Sequence, residues 1–170
     1  MISIPTITTE RLVLRAFRAD DLDAFATLNA DPEVVKYLGA GKPWSREETW
    51  MQMAAFLGHW ELRGYGLWAV EERASHQFIG RIGLLNPEGW YRLELAWTLT
   101  RSRWGNGFAT EGARAALDYA FNVVKLDHIV SLIDSRNQPS IRVAERLGEK
   151  LEERLELHGK DVCVYGIARP

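Results

Sequence analysis

Leu99-Thr-Arg-Ser-Arg-Trp-Gly-Asn-Gly-Phe-Ala-Thr110 decides how this chain folds. Before it, in a run from Tyr91 to Leu99, Glu94, Ala96 and Thr98 alternate with Leu95, Trp97 and Leu99, the two-residue period of a strand. After it, Phe108, Ala109, Gly112, Ala113, Ala116, Leu117, Ala120, Phe121 and Val124 recur at helical spacing and trace one apolar face. A strand that enters a long helix through such a turn leaves several unpaired amides facing one point. Gly105 and Gly107 carry no Cβ, so an anion can approach the backbone there, and the positive end of the helix dipole adds to the attraction. A glycine pair between strand and helix is equally explained by a tight connection. Two familiar phosphate fingerprints do not fit: the dinucleotide motif needs glycine where Thr110 stands, and a P-loop needs Gly-Lys-Ser/Thr.

Upstream, Thr9 to Arg18 reads as a first strand, with Leu12 and Leu14 alternating with Arg11, Val13 and Arg15. Asp20-Asp21 opens a helix through Leu22, Phe25 and Leu28 that stops near Asp31-Pro32, and a short turn through Val34, Val35 and Leu38 follows. Ser45 with Glu48 forms a capping box for a helix reaching about Arg63. Gly66 to Glu72, Phe78 to Leu85 and Tyr91 to Leu99 make an antiparallel meander, with turns at Ala74-Ser75-His76 and Asn86-Pro87-Glu88-Gly89. Downstream, a strand over Ile129 to Ile133 must pair parallel with the strand before the glycine turn. A helix then runs from Pro139 to Gly148, and Leu151 to Leu157 and Asp161 to Ala168 close a last hairpin. No repeat or linker divides the chain, so one α+β domain over residues 1–170 is expected.

The 170 residues carry a net charge of -2 and are 46% hydrophobic, which suits one ordinary core and gives no global attraction to nucleic acid or anionic lipid. Cys163 is alone, and neither Cys-x-x-Cys nor His-Glu-x-x-His occurs, so no disulfide and no structural metal are expected. Met1 to Thr6 lacks a basic segment followed by an apolar one, and no apolar run approaches the roughly 18 residues of a membrane span. A cytoplasmic protein is the expectation.

Three blocks in this order resemble the GNAT acyltransferases, and within them the RimJ/RimL-type branch that acetylates the N-termini of ribosomal proteins. They are Thr9-Glu-Arg-Leu-Val-Leu-Arg15 with Asp20-Asp21-Leu22, Arg103-Trp-Gly-Asn-Gly-Phe-Ala-Thr-Glu111, and Asn137 to Gly148 with Ser140-Ile-Arg-Val-Ala-Glu-Arg-Leu-Gly. The resemblance spans Thr9 to about Ile167. It implies the GNAT fold, a mixed and mostly antiparallel sheet with a central parallel strand pair splayed for CoA and flanked by helices. It further implies acetyl-CoA as donor: pyrophosphate on the turn Arg103, Trp104, Gly105, Asn106, Gly107, Phe108, Ala109, Thr110, pantetheine along Trp97, Thr98 and Leu99, and further contacts from Asn137, Ser140 and Arg146. For Arg103 and Arg146 the plain alternative is a solvated arginine. The sequence departs from the family pattern at Ser102, at Glu149, and at Ala144, where many relatives carry a tyrosine acid.

Moving acetyl from a thioester to an amine requires a neutral amine, an oxyanion donor and a proton for the leaving thiolate. Glu94 is the candidate base, with a solvent-facing strand residue as its alternative. Ser140 is the candidate acid, with a helix-start residue as its alternative; Asn137 has a plain N-cap as its own. Tyr37, Trp44, Trp90 and Tyr91 fall in loops that wall the acceptor pocket in this family. Trp50, Trp60 and Trp68 are expected in the core, Cys163 as a buried thiol, and His128 and His158 at the surface. The expected partner is an amine-bearing acceptor, a protein N-terminus or a small molecule; a homodimer is an allowed assembly, and nucleic acid and membrane are not expected partners. Two other readings stay open: a catalytically silent acyl-CoA-binding module, motivated by Ala144, and transfer of a longer acyl group.

Overall fold

In a computed structural model that describes residues 3–170, eight strands form one sheet in the order β1-β2-β3-β4-β5-β6-β8-β7. Met1 and Ile2 of the leader reading lie outside the described residues. β1 (Ile7–Thr8) and β2 (Leu12–Arg15) precede a 3-10 turn at Ala19–Asp21, then α1 (Leu22–Ala30), α2 (Pro32–Val35) and α3 (Arg46–Arg63). β3 (Leu67–Glu72), β4 (Gln77–Leu85) and β5 (Glu94–Leu99) form the antiparallel meander. A 3-10 turn at Arg101–Arg103 and the glycines lead into α4 (Phe108–Tyr119), which runs on as a π turn to Val124. β6 (His128–Asp134), α5 (Gln138–Leu147), β7 (Lys150–Leu157) and β8 (Lys160–Ala168) complete the chain, with β8 inserted between β6 and β7.

The parallel pair is β5–β6, in register at a single position, Glu94 opposite Val130. There the Val130 amide donates to the Leu93 carbonyl at 3.2 Å, and Ser131 Oγ lies 3.0 Å from the Leu95 carbonyl. Beyond Leu95 the strands part, and the β6 side of Ala96 to Leu99 has no ladder partner. Strand alternation sorts the core into two clusters. Trp68, Val70, Ile82, Leu95 and Leu99 pack with the apolar face of α4, while Leu67 and Ala69 pack beneath α1, α2 and α3 with Phe25, Val35 and Phe56.

The helix ends follow the sequence signals. Ser45 and Glu48 make the capping box of α3, which Gly64 ends in the left-handed region; Asn137 caps the start of α5 with its side chain, and Gly148 ends it, again in the left-handed region. Three expectations shift. The strand expected over Thr9 to Arg18 is the shorter β2 with a separate β1, because the chain turns between them, the Thr9 amide donating to the Leu12 carbonyl at 2.9 Å; at the end of β2 the Arg15 guanidinium is drawn inward, bonding both Asp21 carboxylate oxygens at 2.8 Å and Glu71 at 2.8 Å. β5 begins at Glu94 rather than Tyr91, since Gly89 at φ 78° and a 3.0 Å bond from the Trp90 amide to the Pro87 carbonyl keep the chain turning. Trp50 is 51% exposed instead of in the core, because α3 buries Thr49, Met53, Phe56 and Trp60, and position 50 stands about 100° around the helix from that stripe. Trp60 and Trp68 are buried, edge to face with centroids 4.9 Å apart, and the Cys163 thiol is buried.

Candidate active site

The glycine turn is fastened from a distance. Glu111, in the first turn of α4, accepts from Thr9 Oγ1 at 2.6 Å, from the Arg11 amide at 2.8 Å and from Arg11 Nε at 2.7 Å. Arg11 also donates to the Asn106 carbonyl at 2.9 Å and lies over the Phe108 ring, 4.4 Å from its centroid. The Thr9-Glu-Arg block of the sequence is therefore a clasp on the turn. Inside the turn, Trp104 Nε1 donates to the Leu99 carbonyl and Asn106 Nδ2 to the Trp104 carbonyl, both at 2.9 Å.

Gly105 and Gly107 sit at φ 75° and 80°, and a Cβ at Gly105 would meet open space. The amides of Phe108, Ala109 and Thr110 open α4, where no intrahelical partner exists for them. This backbone fits a pyrophosphate. The side chains contribute less: Arg103 donates to Glu72 at 2.9 Å, and Arg146 stands in solvent at the end of α5. A surface concavity of about 490 Å³ beside Phe108 is lined by Glu10, Arg11, Glu72 and Arg73 and holds none of the candidate catalytic or acceptor residues.

A second cavity, of about 350 Å³, lies where β5 and β6 part. Tyr37, Trp44, Trp90, Glu94, Trp97, Thr98, Asn137 and Ser140 all line it, so three of the four acceptor candidates, the two catalytic candidates and the strand expected to carry pantetheine meet in one place. Tyr91 is the exception. It is 41% exposed, lines no part of this cavity, and donates its hydroxyl to Glu153 at 2.8 Å, a consequence of the longer turn before β5.

Glu94 is 9% exposed, not solvent-facing. Burial pushes its carboxyl up to about 7, against the 3.0 Å bond from Trp90 Nε1 and the positive charge of Arg81. A carboxyl at that value is suited to take a proton near neutral pH. Asn137 is the N-cap of α5, its Oδ1 accepting from the Ser140 amide at 3.3 Å. Ser140 is thus the capped residue, not the cap, and it lines the cavity. Ala144 is fully buried among Ile133, Ile141, Cys163 and Tyr165, so α5 brings no tyrosine hydroxyl to the cavity from that position.

Several residues at this site carry no motif and were invisible to spacing. Arg81 is 7% exposed on β4, its guanidinium 5.3 Å from the Phe56 ring centroid. Ser131 links Leu95 to Glu149, whose carboxyl is 3% exposed and pushed up to about 8, chiefly by burial. Asp134, Lys160 and His158 also line the cavity. The signal for Arg81 was available in principle, since it is the one charged residue in a run, Phe78 to Leu85, that is otherwise apolar. Among the described residues no cluster of three or more metal-ligating side chains occurs, and no helix is long and apolar enough to cross a membrane.

Comparison with known proteins agrees with this geometry. The family model described as an acetyltransferase (GNAT) domain matches residues 11–150. YkkB, an uncharacterised protein of Bacillus subtilis, is 33% identical over 94% of this chain and 93% of its own. An uncharacterised N-acetyltransferase of Bacillus licheniformis, p20, is 29% identical over 91% of this chain and 88% of its own. The crystal structure of an acetyltransferase from Agrobacterium tumefaciens superimposes with a TM-score of 0.87 at 32% identity, covering 98% of this chain and 96% of that one. The splayed strand pair, the glycine turn and the family match carry one conclusion: the chain belongs to the GNAT acetyltransferase family.

Proposed function

We propose that this chain is an acetyl-CoA-dependent N-acetyltransferase of the RimJ/RimL-type branch, one domain over residues 1–170 working in the cytoplasm. Acetyl passes to a primary amine by direct attack in a ternary complex. The observation that carries the reading is the Glu94 carboxyl, buried in the cavity at the splay and poised near 7. The glycine turn holds the pyrophosphate of the donor through backbone amides, and the unpaired edge of Ala96 to Leu99 takes the pantetheine and offers the amide that meets the oxyanion. As the amine nitrogen bonds the acetyl carbon, its proton goes to Glu94; as the carbon–sulfur bond breaks, the Ser140 hydroxyl stands ready to protonate the thiolate, itself restored from solvent. Tyr37, Trp44 and Trp90 wall the acceptor. Glu94 acts as a base only when ionised, so kcat/KM rises with pH through about 7.

The test is CoA thiol release from acetyl-CoA across amines and peptides with different N-termini, for the wild-type protein and Glu94→Gln. The variant is expected to lose about 100-fold or more in kcat and the rising limb of the pH profile. Full activity of Glu94→Gln at neutral and alkaline pH removes Glu94 as the base. Acetyl-CoA binding with no thiol release from any amine identifies a silent binding module instead.

A further inference from the structure

The cavity holds a positive charge that the reaction above does not use. Arg81 is 7% exposed, yet its Nε is buried without a hydrogen-bond partner among the described residues, and its guanidinium lies by the Phe56 ring and, at longer range, meets the charge of Glu94. Facing it across the β4–β5 ladder is Thr98, whose Oγ1 is likewise buried and without a partner. Two unsatisfied polar groups at paired register positions, on residues that both line one cavity, are costly to leave unmet, and the guanidinium charge among them calls for an anion.

The other charges of the cavity do not meet this need. Asp134 is chelated by Arg136, at 2.9 and 2.7 Å. Glu94, raised to about 7, is only partly ionised at neutral pH, and Lys160 Nζ, also lining the cavity, is a second buried cation without a hydrogen-bond partner. The interior is therefore short of negative charge, the opposite of what a polyamine requires. Glu94 and Thr98 share one face of β5, and Arg81 stands opposite Thr98 on β4, so all three turn to the same side of the sheet.

We propose that the acceptor is a small amine that also bears a carboxylate, with Arg81 and Thr98 holding the carboxylate while Glu94 receives the amine. This rests on the acetyltransferase reading above. The carboxylate balances the Arg81 charge in a cavity walled by Tyr37, Trp44 and Trp90.

The test uses the whole chain with saturating acetyl-CoA and matched acceptors that differ by the carboxylate alone: L-phenylalanine with phenethylamine, and L-leucine with isopentylamine. In the wild type, kcat/KM favours the carboxylate member of a pair by about 10- to 100-fold, the range of a hydrogen bond to a charged group. In Arg81→Gln that ratio collapses towards one through KM, Arg81→Lys keeps part of it, and Thr98→Val lowers it. A wild-type ratio of one or below overturns the proposal. So does a ratio that Arg81→Gln leaves intact, which would mean that Arg81 acts only on Glu94 and shifts the pH profile for every amine alike. If Arg81→Gln fails to fold, the wild-type ratio with Arg81→Lys and Thr98→Val decides. If no amine releases thiol, the acetyltransferase reading fails separately, and calorimetry of N-acetyl-L-phenylalanine against neutral N-phenethylacetamide then decides the anion site. Tighter binding of the acid upholds it, and equal or absent binding overturns it.

Discussion

Replacing Glu149 by glutamine should make the protein more resistant to alkali, although a hydrogen-bonded group is being altered. The carboxyl is 3% exposed, and its Oε2 has no partner. Ser131 Oγ stands 3.0 Å from the Leu95 carbonyl and 3.1 Å from Glu149 Oε1, and its single proton is shared between the two acceptors, so Glu149 receives at most part of one hydrogen bond. Burial first, then repulsion from Glu94 and Glu152, raises the carboxyl from 4.5 to about 8 against the Ser131 contact. A raised carboxyl binds its proton more tightly in the folded chain, so its stabilising share is complete below 4.5 and is lost as pH rises towards 8.

Between about pH 6 and pH 8 the unfolded group is ionised and the folded one mostly protonated, so at ~1.36 kcal/mol per unit the wild type gives up about 2 kcal/mol that Glu149→Gln keeps. For a domain of this size that difference is worth about 4–8 °C in Tm. Thermal melts of both proteins by circular dichroism across this range measure it directly. Glu94, raised to about 7, adds its own loss to both proteins and largely cancels in the comparison. A Tm difference between the two proteins that stays constant with pH would refute a protonated Glu149.

Gly107→Ala forces a Cβ into a residue at φ 80°, and 3.4 Å from the Arg11 guanidinium that clasps the turn. About 1–2 kcal/mol of strain should fall on the turn, raising KM for acetyl-CoA roughly 5- to 30-fold with kcat little changed; an unaltered KM would remove the turn from donor binding. Ser140→Ala should lower kcat by no more than about 10-fold, because a thiolate leaves readily without full protonation. If neither the rate nor CoA affinity moves, Ser140 is only a residue in the first turn of α5.

What the sequence makes legible is whatever is written locally. The alternation through Leu95, Trp97 and Leu99, the glycines of the turn, the Ser45–Glu48 box and Asn137 before Pro139 each announce their element from a few adjacent residues, and all of these elements are present. Burial of single polar side chains is not written locally. Glu94 alternates as a solvent-facing residue would and becomes buried because β6 and the Trp90 indole close over it. Arg15 looked like the outer face of a strand until Asp21 and Glu71 supplied two carboxylates. Tyr91 and Trp90 are neighbours in one aromatic pair, and only the path of the turn decides that Trp90 faces the cavity while Tyr91 meets Glu153. Glu149, a departure from the family pattern in the sequence, becomes intelligible once Ser131 is beside it.

The clasp from Thr9 and Arg11 to Glu111 joins residues about one hundred positions apart. In folding terms, the turn proposed as the donor cradle depends on a long-range contact: α4 carries its own helical pattern, but the Asn106 carbonyl is held by Arg11, next to a strand that pairs on the far side of β3 and β4. A chain whose first strand has peeled away would keep its helix and much of its sheet yet lose the shape of the phosphate turn. Bound donor should therefore hold the amino-terminal strand in place, and hydrogen-exchange protection across Leu12 to Arg15, beside the clasp, would serve as a gauge of donor occupancy.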